Sequence, residues 1–174
     1  MPSLNAAFET LVANYPRRDA PDPATYQYVD QAMAQFGSGT SCCVQMSQAL
    51  NLAGIIVPAV SNRRRNAYVT INGTGYFYMG AVDEVVDFLN NKCANCFAGE
   101  IVSQSANGDI PGYLQGRRGI LCFFDLKYGF HTELWDGHDI VQQDMDRAKC
   151  YGQAQVVFWD AGPPLWLTDV VTSQ

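Results

Sequence analysis

The sequence has few basic residues. Of its 174 residues, 11 are Lys or Arg and 17 are Asp or Glu, which gives a net charge of −6. Because such a surface is repelled by phosphate backbones and anionic lipid heads, we expect neither nucleic acid nor a membrane as a partner. The basic cluster Arg63-Arg64-Arg65 is shorter than the runs typical of nucleic-acid patches. It is interpreted as a solvated loop, or alternatively as the anion-reading rim of a pocket.

Long apolar runs, low-complexity segments and internal repeats are also missing. No stretch approaches the roughly 18 apolar residues that a membrane-spanning helix needs. The start, MPSLNAAFETLVANYP, lacks the basic and apolar regions of a Sec signal, although specialised machines export folded proteins without one. Hydrophobic residues make up 48% of the chain, which excludes a disordered protein. We therefore predict one globular domain over residues 1–174.

Cysteine is present but shows no recognisable metal-binding spacing. The six cysteines are Cys42, Cys43, Cys93, Cys96, Cys122 and Cys150. The Cys93–Cys96 pair forms one CxxC, for which a local disulfide is the first interpretation. Zinc would need two further ligands. Cys150 and His138 could supply them but lack the spacing of a zinc finger, so we expect no metal. Cys122 lies in an apolar run and is predicted to be a core residue.

The order of predicted elements indicates an α+β fold. Apolar periodicity predicts helices around Leu4–Val12 and Tyr26–Phe36, and a third that starts at or near Cys42 and ends before Gly54. After these come a hairpin of two strands joined by Asn72-Gly73, a helix and four further strands. They are predicted at 67–71, 76–79, 82–89, 119–124, 131–135, 139–141 and 155–159. Consecutive strands joined by short turns favour an antiparallel sheet with helices packed on one side.

Two adjacent cysteines lie at the predicted start of the third helix. A thiolate in the first turn of a helix faces unpaired backbone N–H groups and the positive end of the helix dipole, which favours a reactive cysteine. Cys42 and Cys43 both meet this condition. If Cys43, Val44 and Met46 face the core, Cys42 lies nearer the edge, where a substrate could reach it.

The chain has two histidines that could serve as a general base. His131 begins a predicted strand before the turn at Asp136-Gly137, so its ring would project at a sheet edge, where a helix could present a thiolate. His138 lies in the turn itself and is predicted to be solvated.

A third residue must accept a hydrogen bond from the far imidazole nitrogen. The strand returning from the turn brings residues 142–144 back beside His131, and Asp144 is the carboxylate among them. Gln142 and Gln143 are alternatives, in which a side-chain amide would accept the hydrogen bond in place of a carboxylate. The turn residues Asp136 and Asp139 rank lower.

Two segments resemble the fourth family of type VI secretion amidase effectors. The run Cys42–Asn51 is similar to that family's nucleophile helix, in which a cysteine precedes Met-Ser and then Leu-Asn, and this register selects Cys42 over Cys43. The run Gly129–Gly137 is similar to the histidine strand, with Trp135 four residues after His131. The resemblance covers about Gly39 to Trp159.

The resemblance implies a papain-like fold of the NlpC/P60 type and a cysteine peptidase that degrades the cell wall. The implied reaction is hydrolysis of the D-glutamyl-diaminopimelate amide of peptidoglycan stem peptides by a Cys-His-Asp triad, here Cys42, His131 and Asp144. No metal or organic cofactor is implied. Such antibacterial toxins are secreted, act in the periplasm of a target bacterium, and have a cognate immunity protein and a secretion apparatus as partners.

The sequence departs from the family pattern at three places. Gln45 replaces a common arginine, Phe130 replaces a glycine, and the segment between His131 and Asp144 is about two residues longer. Trp135, Asp136 and Gln45, which lie within the two motifs, are predicted to contact the substrate.

Two other functions remain open from the residues. The same chemistry could deamidate or acylate a protein target, and a non-catalytic binding module would need no reactive thiol.

Overall fold

The computed structural model describes residues 2–37, 41–59, 67–92, 99–125, 129–152 and 155–163. Its helices are α1 Leu4–Ala13, α2 Pro23–Phe36, α3 Ser41–Leu52, α4 Val82–Asp87, α5 Val102–Ser105, α6 Ile110–Leu114 and α7 Arg147–Tyr151, and a π-helical turn, Phe88–Lys92, follows α4. Its strands are β1 Ala67–Ile71, β2 Thr74–Tyr78, β3 Glu100–Ile101, β4 Gly119–Asp125, β5 Gly129–Trp135 and β6 Gln155–Asp160. The predicted elements that correspond to α1 to α4 and to β1, β2, β4, β5 and β6 are confirmed, whereas β3, α5, α6 and α7 were not predicted.

The N-terminal helices begin and end where the local sequence allows. The side chain of Ser3 accepts a hydrogen bond from the backbone of Ala6 at the start of α1, and Asp22 caps α2 just before Pro23. The helix α2 ends at Gly37, whose φ of 72° is the left-handed conformation that glycine adopts readily. These caps fix both helices before any tertiary contact is considered.

The hairpin β1–β2 forms at the predicted turn. Asn72 and Gly73 have φ values of 49° and 82°, as a type I′ turn requires, and Ile71 pairs with Thr74 across it. The second strand therefore begins at Thr74, two residues earlier than predicted.

The main sheet is antiparallel and has the strand order β3-β6-β4-β5. The predicted strand 139–141 is wrong, because the described structure has at this place one isolated bridge, between Trp135 and Ile140. After that bridge the side chain of Gln142 is held by Gln45 of α3 and by the backbone of Arg18. This anchoring draws the chain away from β5, which stays an edge strand among those described.

Helices cover both faces of this sheet. On one face, α1, α3 and α4 pack against Ile120, Cys122, Leu134 and Trp159. On the other, α5, α6 and α7 cover a second apolar cluster that contains Leu121, Phe123 and Phe158. The α+β class and the packing of the N-terminal helices on an antiparallel sheet are confirmed, whereas the expectation of helices on one side only is wrong. Alternate residues of β4 point to opposite faces and both sets are apolar, so both faces need a cover.

The structure bears on the predictions for Cys122, the other cysteines, the basic cluster and membrane spans to different extents. Cys122 is fully buried, as predicted. The pair Cys93–Cys96 and the cluster 63–65 lie outside the described residues. Within the described part, none of the helices is long and apolar enough to cross a membrane.

Candidate active site

The helix α3 carries Cys42 into the interior of the protein. Every residue from Cys42 to Asn51 is buried, and Cys42 itself is 2% exposed. The expectation that Cys42 lies nearer the edge is therefore wrong. The helix is covered by α1, α2, β2 and β5, so it has no solvent-facing side over this length.

Polar side chains hold α3 in this buried position. Each one bonds a backbone group of another segment: Gln45 donates to the carbonyl of Pro16, Gln48 to that of Thr25 and Asn51 to that of Phe77, while Ser47 accepts from the backbone of Met79. A buried amide or hydroxyl without a partner costs free energy, so these bonds define one position for the helix. The location of the Cys42 thiol follows from them.

The edge strand β5 presents His131 to this thiol. The imidazole hydrogen-bonds the side chain of Cys42, and its Nε2 lies 2.9 Å from Oε1 of Glu133. The ring also stacks on Phe123, with centroids 6.1 Å apart and planes at 18°. Because Nε2 faces Glu133, Nδ1 is the nitrogen left for Cys42. The predicted meeting of Cys42 and His131 in space is what the structure shows.

The surroundings of His131 favour its charged form. Burial alone lowers its pKa, but the hydrogen bonds to Cys42 and Glu133 outweigh burial and raise the pKa to about 9. At neutral pH the ring is therefore protonated and can pair with a thiolate at Cys42.

Glu133 is the carboxylate that binds His131. Its side chain is 1% exposed, and its Oε2 accepts a hydrogen bond from the Tyr15 hydroxyl at 3.4 Å. Burial raises the pKa of Glu133, and the hydrogen bond with His131 opposes that rise. Sequence reasoning missed this residue, although residues two apart on a strand share a face and the pattern His131-Thr132-Glu133 carried that signal.

The predicted pairing of His131 with Asp144 requires correction. The carboxylate of Asp144 accepts two hydrogen bonds from the Arg18 guanidinium, each at 3.1 Å, and one from Gln142 at 2.8 Å. The side chain is 38% exposed, and the Arg18 guanidinium holds its pKa below the usual range. The predicted register fails because residues 142–144 leave the sheet after Ile140, as described above.

The alternatives weighed for this position also bind elsewhere. The amide of Gln142 bonds Gln45 and Asp19, and Gln143 bonds the carbonyl of Ile140. Asp136 accepts from the backbone of the turn it closes, and Asp139 pairs with Arg147. His138 is exposed, as predicted, and its Nδ1 accepts from Gln115.

Two of the three predicted substrate contacts are buried and hydrogen-bonded within the protein. Trp135 is fully buried and donates its indole N–H to the carbonyl of Leu114, while Gln45 is 1% exposed and bonds Pro16 and Gln142. Both side chains are part of the framework. Asp136 is exposed, and its role toward a substrate stays a prediction.

The described ranges contain no candidate metal centre. No group of three or more His, Cys, Asp or Glu side chains there is placed to hold an ion.

A thiol on a helix, an imidazole on the neighbouring sheet edge and a carboxylate behind that imidazole form an arrangement typical of papain-like cysteine hydrolases. Residues 39–159 match the family model of the type VI secretion system amidase effector protein 4, Tae4. Because the match covers more than half of the chain, the protein belongs to this family. The protein is therefore a peptidoglycan amidase effector.

Solved structures show the same fold. The Tae4 effector from Enterobacter cloacae superposes with a TM-score of 0.60 at 21% identity, covering 92% of this chain and 96% of that one. A Tae4–Tai4 complex from Salmonella typhimurium gives a TM-score of 0.56 at 19% identity, covering 91% and 96%. A search of curated proteins found no match.

Proposed function

We propose that this amidase hydrolyses the D-glutamyl-diaminopimelate amide of stem peptides with Cys42 as nucleophile and His131 as general acid and base. Glu133 takes the place that the sequence suggested for Asp144. The hydrogen-bonded series from Cys42 through His131 to Glu133 supports this proposal. The bond itself is inferred from the family.

The reaction follows from the charges of these groups. The Cys42 thiolate attacks the amide carbonyl carbon, and the resulting oxyanion is stabilised by backbone N–H groups at the start of α3. His131 donates its proton to the leaving amine as the C–N bond breaks, which leaves a thioester. His131 then takes a proton from water, the hydroxide attacks the thioester, and the thiolate and a new carboxylate are released.

Access to the thiol restricts the direction of attack. Cys42 is almost fully covered, whereas the side chain of His131 is 19% exposed. The scissile amide therefore approaches from the side on which the imidazole meets solvent.

The decisive experiment is mass spectrometry of muropeptides after incubation with Gram-negative sacculi. The natural protein should release fragments cut between D-glutamate and diaminopimelate, and Cys42→Ala should release none. Cys43→Ala is the matched control, because its sulfur lies 3.8 Å from that of Cys42 and it was the open alternative in the sequence. Fragments from the Cys42→Ala protein would contradict the proposal, and loss of activity in Cys43→Ala alone would transfer the role to the neighbour.

We also propose that the protein is delivered by the secretion apparatus, acts in the periplasm and is blocked there by a cognate immunity protein. Solved relatives form complexes with the protein Tai4, which supports such a partner. Expression in a Gram-negative host should lyse cells when a Sec signal is added and spare them when it is omitted. Lysis by an exported Cys42→Ala protein, or equal toxicity in the cytoplasm, would contradict this.

A further inference from the structure

A buried tyrosine lies behind the candidate active site. Tyr15 follows α1 and is 6% exposed, and its hydroxyl lies 3.4 Å from Oε2 of Glu133. The other oxygen of that carboxylate lies 2.9 Å from Nε2 of His131. The two oxygens of Glu133 therefore join the phenol to the imidazole.

Several titratable groups surround the Glu133 carboxylate. They are Tyr15 and Arg18 on the N-terminal segment, Cys42 on α3, His131 on β5, and Cys150 and Tyr151 on α7. Of these, Tyr15 and His131 hydrogen-bond it. Arg18 directs its guanidinium to Asp144 instead. Among the described residues, the Tyr15 hydroxyl is thus the donor to the oxygen that His131 does not use.

The phenol remains a donor at neutral pH. Burial and, next, the neighbouring Glu133 raise the pKa of Tyr15 well above its usual value, so the hydroxyl keeps its proton. Burial also raises the pKa of Glu133, and the hydrogen bonds from His131 and Tyr15 counter this. Each donor helps to keep the buried carboxylate ionised.

We propose that Tyr15 is a positioning residue of the amidase, which fixes the Glu133 carboxylate so that it orients His131 toward Cys42. Tyr15 touches neither the substrate nor the reacting atoms and acts through Glu133. The inference rests on the proposed roles of Cys42 and His131.

The test is the pH profile of Tyr15→Phe, which keeps the ring and removes the hydroxyl. With one donor fewer, Glu133 takes up a proton at higher pH and then no longer supports the imidazolium. We expect kcat to fall about tenfold with little change in KM, and the acid limb of activity to move up by roughly half a pH unit or more. Muropeptide release measured between pH 4 and 9 gives both values.

Tyr78→Phe is the matched control. Tyr78 is fully buried, and its hydroxyl lies 3.4 Å from an oxygen of Gln48, a neutral partner on α3. Its loss should lower the melting temperature about as much as Tyr15→Phe does, but leave the acid limb in place. Identical pH profiles for the two variants and the natural protein would overturn the inference.

A double variant tests whether Tyr15 acts through Glu133. In a Glu133→Gln background, Tyr15→Phe should cause no further shift of the acid limb. A shift of the same size in both backgrounds would show that Tyr15 acts by another route and would refute the proposal.

Alkylation separates this inference from the proposed function. The pH dependence of iodoacetamide labelling at Cys42, corrected with Cys42→Ala, reports the thiol–imidazole pair without any substrate. A shifted labelling profile in Tyr15→Phe supports the inference even if sacculi stay intact, in which case only the proposed reaction fails. Cleavage of sacculi with unshifted profiles in Tyr15→Phe refutes the inference and leaves the proposed function standing.

Discussion

Two carboxylates that follow His131 in the chain lie in opposite environments. Glu133 is buried between His131 and Tyr15, and burial raises its pKa. Asp144 lies at the surface on Arg18, which lowers its pKa. The comparison shows that burial and the available donors, rather than distance along the chain, decide which carboxylate can orient the imidazole.

The largest difference should appear in catalysis. Glu133→Gln keeps the shape of the side chain but removes the charge that supports the imidazolium, so we expect kcat to fall roughly 100-fold or more. Asp144→Asn, its matched control, should retain activity within about twofold because its partners are Arg18 and Gln142. Steady-state release of muropeptides measures both. Equal losses in the two variants would remove the contrast between the carboxylates.

The pH dependence should differ next. His131 loses its proton near pH 9, so activity should fall about tenfold per pH unit above that value. In Glu133→Gln this alkaline limb should move to lower pH, because one cause of the raised pKa is gone, whereas Asp144→Asn should leave it unchanged. An unmoved limb in Glu133→Gln would contradict the assignment.

The raised pKa of His131 also makes the stability of the fold depend on pH. The folded pKa of His131 lies above the unfolded value of about 6.5, so its contribution is complete below pH 6.5 and is lost as pH rises through 9. Urea unfolding of Cys42→Ala, which lacks the thiol partner, should show a weaker loss over this window. A parallel loss in both proteins would argue against the pair as its source.

For Gln142 we expect a smaller effect, on stability and not on catalysis. Gln142→Ala leaves one N–H of the buried Gln45 amide and the backbone N–H of Arg18 without an acceptor, which should lower the free energy of unfolding by about 2 kcal/mol. The nearby Gln143→Ala, at an exposed position, should cost about 0.5 kcal/mol. Urea titration measures both. A folded Gln142→Ala protein without activity would contradict the purely structural role given to Gln142.

The smallest effect is expected for the surface pair itself. Arg18 and Asp144 are 42% and 38% exposed, so solvent screens their attraction and Asp144→Asn should change stability by about 0.5 kcal/mol or less. Adding salt should reduce even this difference. A change of several kcal/mol would mean that the pair supports the site as strongly as Glu133 does.

Much of the fold could be predicted because its signals are local. Segments rich in β-formers indicated five of the six described strands, Asn72-Gly73 indicated the hairpin, and apolar periodicity indicated α1 to α4. The Cys42–His131 pair could be predicted because the start of a helix and the presence of a strand are both readable from local sequence, although β5 begins at Gly129 and not at His131. The partner of His131 could not be found by following the hairpin register, since buried contacts of Gln142 end the pairing after one bridge.

The sequence by itself determined α1 to α4, five of the six described strands, the hairpin turn and the two residues proposed for the chemistry, because each depends on neighbours along the chain. The tertiary structure decided the rest. It enclosed α3 on all sides, placed Glu133 rather than Asp144 on the imidazole and set Tyr15 behind that carboxylate. These outcomes depend on which polar groups lose water when distant segments pack together, and a buried group must then find its partner among whatever the fold brings near.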